Sequence, residues 1–288
     1  MTISINNLGN LGRLGNQMFQ YASLRGIAAK NKLDWIIPYP EPKNKFNDQY
    51  HLFKTFEMSG CKSKNFGINI PERILNCQSF NFINNLYNKC PDNSDLFGYF
   101  QTEKYFIEIE DEIRKDFTFQ NNILEIAINF LSKINKEKIF LHVRRGDNVY
   151  QPDSFGMCSL EYFSNALKYF FKDIAVVIVS DDIEWCKNQS LFKDERFYFS
   201  DFSLEKEFWI FGDLFGEEKK SCLPYIDLCL MSLCSGGIIS NSTFSWWGAW
   251  LIKNPKYPII APTPWFGPSN KHLNTEDLIP NRWILLNK

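Results

Sequence analysis

The sequence predicts an α/β protein built on parallel, doubly wound sheets, and three observations carry that prediction. Buried-type apolar runs such as KIFLHV and IAVVIV alternate along the chain with stretches whose apolar residues fall at helical spacing. The alternation persists to the C-terminus, the pattern of strand, crossover helix and parallel strand. Three polar clusters, HVRRGD, SDD and SNSTFS, each follow such a run. In open α/β sheets ligands bind beyond the carboxyl ends of the strands, so clusters far apart in sequence are expected to line one crevice.

Taken in order, TISI opens as a short strand, NNLGNLGRLGNQMF follows, and a helix runs through QYASLRGIAAKN. LDWIIPY reads as a strand, whereas the Asn-, Lys- and Pro-rich stretch from Pro40 to Asn93 yields no clear elements. LFGYF reads as a strand and TEKYFIEIEDEIRKDF as one helix, with Ile107, Ile109 and Ile113 among charges. NNILEIAINFLSKINKEK is an amphipathic helix. The second half reads more clearly. KIFLHV is a strand, SLEYFSNALKYFFK a helix capped by Ser159, IAVVIV a strand and FYFSD a candidate strand. LPYIDLCLMSLCSGG is a helix with Pro224 in its first turn and Gly236-Gly237 beyond its end. GIIS, NSTFSWWGAWLIKN and YPIIAP then read as strand, helix and strand. The boundary between two halves is placed near Lys136, giving domains 1–135 and 136–288.

Composition narrows the function classes. With 32 Lys+Arg against 33 Asp+Glu, charge is balanced, so no nucleic-acid partner is expected and any anion site must be local. Aromatics at 16% suit a carbohydrate cleft, although a bias toward Phe explains them equally well. The eight cysteines show no C-x-x-C pair and read as buried thiols of a reducing compartment. With three scattered histidines, no histidine-based zinc site is expected. The start MTISINNLGN lacks the features of a signal peptide, and no apolar run approaches the ~20 residues of a membrane span. A cytoplasmic enzyme is therefore expected. Peripheral association with the inner face of a membrane, through a lipid-linked substrate, stays open.

An arginine emerging from an apolar strand needs an anion in its fork. Arg144 shares one side of the strand end with His142 and can grip a phosphate bidentately. The bland alternative is a structural salt bridge from Arg144 or Arg145 to Asp147. Ser242, Thr243 and Ser245 fall where a strand turns into a helix, a place whose free N–H groups also welcome phosphate. Ordinary N-capping is the competing reading there, and core packing competes with base or sugar stacking for Phe244 and Trp247. Asp181 and Asp182 suit a guanine edge or ribose hydroxyls, with a metal-binding diacid as the alternative. The absence of a D-x-D triplet and the two arginines favour a metal-free site. GNLGRLGNQ is neither a dinucleotide fingerprint nor a P-loop. Its glycines let backbone approach a ligand closely, and Asn16 and Gln17 at the next helix start then face the cleft or merely cap that helix.

Four stretches, GRLGNQMFQYA, GYFQTEKYF, HVRRGD and NSTFSWWGAWL, closely resemble, in order, the motifs of the bacterial and animal α-1,2-fucosyltransferases of glycosyltransferase family 11. The resemblance implies a GT-B-like fold, two Rossmann-like lobes with a cleft between them. The first lobe would face the acceptor and the second bind the donor. It further implies metal-independent transfer, without a cofactor, of fucose from GDP-β-L-fucose to the 2-hydroxyl of a terminal β-galactoside, with inversion. Arg144 would hold the β-phosphate, with Arg145 beside it, and His142 would contact the nucleoside. Asp181 and Asp182 would face guanine or ribose, and Ser242, Thr243, Phe244 and Ser245 the diphosphate. Asn16 would lie at the reaction centre, with Gln17, Gln101 and Trp247 toward the acceptor. No His or Glu in the motifs is an evident base, so Asp147 or a water-assisted proton loss is expected. Transfer to another linkage or acceptor, and a non-catalytic glycan-binding module, are the competing functions.

Overall fold

The structure is a computed structural model that describes residues 1–40, 50–61, 65–77, 79–202 and 223–288, the side chains of Asp147 and Leu223 excepted. The chain divides into two compact units, Met1–Gln120 with His272–Asn281, and Asn121–Lys271 with Arg282–Lys288.

The first unit contains β1 (Thr2–Ser4), α1 (Leu14–Asn31), β2 (Asp34–Ile36), α2 (Leu52–Thr55), β3 (Arg73–Cys77), α3 (Asn84–Asn88), β4 (Ser94–Gly98) and α4 (Glu110–Asp116). Its strands pair in parallel in the order β2-β1-β4-β3. α1 is buried on almost every side. At Gly26 an added Cβ would lie 1.8 Å from the Tyr105 carbonyl oxygen, so only glycine lets the helix approach that turn. The helix expected over TEKYFIEIEDEIRKDF is instead two 3₁₀ turns, Glu103–Tyr105 and Ile107–Ile109, followed by α4. Tyr105 and Phe106 are both inside, whereas Ile107, next along, is 39% exposed and the turn Ile107–Ile109 buries none of its residues. The unread stretch from Pro40 to Asn93 contributes α2, β3 and α3 among its described residues. The segment His272–Asn281 joins this unit because Asp277 accepts from the Phe82 N–H at 2.9 Å and pairs with Lys104.

The second unit contains α5 (Asn121–Ser132), β5 (Lys138–Val143), α6 (Pro152–Phe155), α7 (Leu160–Leu167), β6 (Ala175–Ser180), α8 (Ile183–Asn188), β7 (Phe197–Phe199), α9 (Leu223–Ser232), β8 (Gly237–Ile238), α10 (Thr243–Trp250), β9 (Ile259–Thr263) and β10 (Ile284–Asn287). The strands are all parallel, in the order β10-β9-β8-β5-β6-β7. β5 spans the run KIFLHV, and Ser159 caps α7 by accepting from the Tyr162 N–H at 3.1 Å, both as the sequence suggests. α5 packs against α9 and so falls with the second unit, ahead of the boundary placed near Lys136. β5 and β6 are apolar on both faces because helices cover both, which is why they read as continuous hydrophobic runs. Among the described residues no helix is long and apolar enough to cross a membrane.

Candidate active site

Strand order decides where each sheet can hold a ligand. In the second sheet the chain leaves β5 for β6 and β7 on one side, then returns to place β8 on the other. The carboxyl ends of β5 and β8 therefore diverge, and such a switch point is the usual crevice of a doubly wound sheet. His142, Arg144 and Arg145 end β5, and Ser240 to Ser245 connect β8 to α10. Ser240 joins the two ends: its hydroxyl donates to the His142 carbonyl at 2.7 Å and accepts from the Arg144 N–H at 3.2 Å. One side chain thus fixes the arginine beside the start of α10.

That helix start is not capped in the ordinary way. Ser242 occupies the N-cap in extended conformation, but its side chain makes no capping hydrogen bond. The Ser242 hydroxyl therefore stays available for a ligand at the positive end of the helix. Thr243 and Phe244 are half-buried beside it. Ser245 differs from expectation. It is fully buried and turns back on the Ser240 and Ser242 carbonyls, both at 3.4 Å, so it braces the loop from inside. Trp247 also departs from its expected place toward an acceptor, since it is fully buried with Trp246 and Trp250 at ring distances of 5.0 and 5.1 Å. α10 is apolar on all sides, so its tryptophans go into the core.

The two arginines pair with carboxylates that follow β6. Arg144 Nη1 donates to Asp181 Oδ2 at 2.6 Å, and the Arg145 N–H donates to Asp181 Oδ1 at 2.8 Å. Arg145 Nε donates to Asp182 Oδ2 at 2.9 Å while its guanidinium lies 4.1 Å over the Trp185 ring. Asp182 also caps α8 through the Trp185 N–H. Each Asp182 oxygen thereby accepts one hydrogen bond within the protein. The cause is the parallel register of β5 and β6, which puts Val143 opposite Ser180 and sets both charged turns side by side. Gly146 lies under them at φ +22°, where a Cβ would sit 2.5 Å from Asp181 Oδ2. The side chain of Asp147 lies outside the described residues.

His142 is 3% exposed, and its Nδ1 has no hydrogen-bond partner among the described residues. Burial, reinforced by the Arg144 charge, pushes its pKa down to about 3, so the ring is neutral. Its ring centroid lies 5.7 Å from that of Phe244. A buried carboxylate that the sequence reading missed, Asp227 on α9, accepts from the Ser200 hydroxyl. Burial lifts it to about 7 against the hydrogen bond from Ser200, and the charge of Asp181 raises it further. Its signal was visible: one acidic residue interrupts the apolar run LPYIDLCLMSLC. Among the described residues no group of three or more His, Cys, Asp or Glu is arranged to hold a metal ion.

The first sheet has its own switch point, between β1 and β4. The loop after β1 carries Gly9 and Gly12 at φ +95° and +89° before α1 begins. A Cβ on Gly12 would lie 2.0 Å from Asn16 Nδ2, so the glycine is what lets that amide lie flat against the loop. Gln101, just past β4, donates from Nε2 to Asn16 Oδ1 at 2.9 Å, and its own Oε1 is buried without a partner among the described residues. Gln20 ties the two ends together by donating to the Leu11 and Gly98 carbonyls at 3.1 and 3.2 Å. Gln17 departs from its expected place toward an acceptor. It is fully buried, donating to the Gly12 carbonyl at 3.3 Å and accepting from the His51 N–H at 2.8 Å. Its amide shapes the loop.

Comparison with known proteins agrees with this layout. The family model described as "Glycosyl transferase family 11" matches residues 2–287. An alpha-1,2-colitosyltransferase of Escherichia coli is 32% identical, the match covering 96% of this chain and 97% of the relative. The O-antigen biosynthesis glycosyltransferase WbnK of Escherichia coli is 27% identical over 96% and 98%. Galactoside alpha-(1,2)-fucosyltransferase 2 of Sus scrofa is 24% identical over 84% and 68%. Among solved structures, fucosyltransferase NodZ from Bradyrhizobium superposes with a TM-score of 0.52 at 12% identity, covering 89% of this chain and 96% of that one. POFUT1 in complex with GDP-fucose gives 0.52 at 12%, over 90% and 96%. These likenesses bear on the fold, which is GT-B-like. The family match spans nearly the whole chain, and the protein belongs to glycosyltransferase family 11.

Proposed function

We propose that the protein transfers L-fucose from GDP-β-L-fucose to the 2-hydroxyl of a terminal β-galactoside in a surface glycan or lipopolysaccharide, with inversion at the anomeric carbon. The observation that carries this reading is Arg144 held by Ser240 beside the open start of α10 at the β5/β8 switch point. The chemistry asks for that arrangement. As the bond from fucose C1 to the β-phosphate oxygen breaks, positive charge grows on the sugar ring and negative charge on departing GDP. A guanidinium and helix-end amides aimed at the diphosphate stabilise that negative charge, and loss of one such donor typically costs ~2.7–4 kcal/mol. The neutral, buried His142 ring offers its Nδ1 to the nucleoside without adding charge. In the first unit, Asn16 and Gln101 are neutral amides suited to sugar hydroxyls. The acceptor O2 bonds to C1 as its proton leaves, to Asp147 or to water.

Arg144 Nη1 pairs with Asp181. A guanidinium has five donors in a planar fork, so a carboxylate partner does not by itself preclude a phosphate contact. The enzyme is read as cytoplasmic, reaching the inner face of a membrane where its acceptor is lipid-carried. A second donor deserves a place because one relative is named a colitosyltransferase. Colitose is fucose without its 3-hydroxyl, so the same phosphate grip and linkage serve both sugars. The test is a competition: GDP-fucose and GDP-colitose supplied together with lactose and a panel of β-galactosides, the products resolved by mass and their linkage by NMR. A fucosylated trisaccharide linked to galactose O2 is expected. Dominant colitose transfer would move the donor assignment. Failure to bind GDP in calorimetry would favour a glycan-binding module.

A further inference from the structure

We infer that the opposite end of the second unit, where the strands begin, is a docking surface for an anionic lipid bilayer. Four connections meet there, those leading into β5, β6, β8 and β9, and hydrogen bonds stitch them into one face. The Ala175 N–H donates to the Glu137 carbonyl at 3.0 Å, Ser235 N to Lys138 O at 2.9 Å and Tyr257 N to Ser235 O at 2.9 Å. Phe170 packs on Tyr257 at 6.5 Å between ring centroids. Large apolar side chains stand out of this face: Phe171 is 72% exposed, Ile128 51%, Tyr169 47% and Leu233 41%. Ile128 and Leu233 border an open hollow of about 510 Å³ between the ends of α5 and α9.

Charge identifies the partner. Lys136 and Lys138 rim the hollow, Lys168 and Lys172 flank Phe171, and Lys253 and Lys256 lie in the connection before β9. Against them stand Glu137 and Asp173, and Glu137 is already paired with Lys256 at 2.8 Å. The connection before β7 balances Lys193 and Arg196 with Asp194 and Glu195, and marks the margin of the basic face. Protruding aromatic and aliphatic side chains inside a lysine ring fit the headgroup region of a negatively charged membrane. An acidic protein partner would satisfy the lysines but leave Phe171 and Tyr169 without purpose. β5 has six residues, so the Arg144 end stands roughly 20 Å from this face at ~3.3 Å per residue. That spacing suits an acceptor galactose several sugars from its lipid, and this last step rests on the proposed function.

The experiment is flotation of the full chain with phosphatidylcholine vesicles, with and without phosphatidylglycerol. Binding only to the anionic vesicles, lost at high salt, is expected. The triple variant Lys136→Glu, Lys172→Glu, Lys253→Glu should bind at least tenfold more weakly, since each lysine near such a surface contributes roughly fivefold. Phe171→Ser with Leu233→Ser should weaken binding severalfold. Both variants should keep wild-type melting temperature and turnover on a soluble galactoside. Equal binding to both vesicle types, binding to neither, or an unaffected charge-reversal variant overturns the proposal. So does a dimer, seen by light scattering, that these substitutions dissolve. The assay contains neither nucleotide nor glycan, so its failure leaves the transferase reading standing, and the converse holds.

Discussion

The two sheets solve the same geometric problem with different chemistry. Each places its candidate residues at a switch in strand order, between β5 and β8 in the second unit and between β1 and β4 in the first. In the second, the crevice holds ion pairs, Arg144 with Asp181 and Arg145 with Asp182. In the first, it holds amides: Gln101 on Asn16, and Gln20 on two carbonyls. Guanidinium groups suit a ligand carrying full negative charge. Neutral amides, donor and acceptor at once, suit hydroxyl groups. The difference is the one the proposed function asks for, with charge for a diphosphate and neutral amides for a sugar.

The largest effect should come from the second unit. Arg144→Lys keeps the charge but loses the planar fork, and a drop in kcat/KM of about 100-fold or more is expected. Wild-type turnover in that variant would end the assignment. Gly146→Ala probes the same site through its backbone. A methyl group there meets the Asp181 carboxylate and lies 3.2 Å from Arg144 Cζ. Weaker GDP binding by about tenfold or more, read by calorimetry, should accompany a native circular dichroism spectrum. In the first unit, Asn16→Ala and Gln101→Ala should raise the acceptor KM or lower kcat by roughly tenfold while leaving GDP affinity unchanged. Equal damage to GDP binding from these variants would erase the contrast between the units.

A subtler test concerns Asp227. Its folded pKa, about 7, lies above the ordinary 3.8, so the folded state holds a proton that the unfolded chain has released between those values. Stability from this group is therefore complete below about pH 4 and is lost as pH rises toward 7. Asp227→Asn should remove that loss, adding up to about 4 kcal/mol at pH 8 relative to wild type and little at pH 4. Denaturant melts of both proteins at the two pH values give the difference, in which the opposite trend from the depressed His142 cancels. The smallest effect expected is none: turnover should persist in EDTA, because Arg144 and the start of α10 supply the charge stabilisation. Loss of activity restored by manganese would reject this.

Legibility differed between the units for a physical reason. β5 and β6 are covered on both faces and announce themselves as unbroken apolar runs. β3 is an edge strand whose first residues are exposed, so RILNC carried no pattern. β10, also at an edge, passed unread as well. The places of Arg144, His142 and Ser242 at strand ends were readable because a polar residue that follows a buried apolar run marks where the strand stops. Gln17, Ser245 and Trp247 were misplaced because a motif marks where a residue sits in the chain, not which way its side chain turns. Ser240 was passed over as the last letter of a strand.

The amino-acid sequence determined the alternation of strands and helices and which polar residues would end each strand, since both follow from local periodicity and backbone geometry. Tertiary structure alone decided that β8 would lie beside β5, which brought Ser240 to Arg144, and that Asp181, thirty-odd residues away, would pair with that arginine. Strand neighbours are chosen by burial summed over the whole sheet, and no local window of sequence contains that sum.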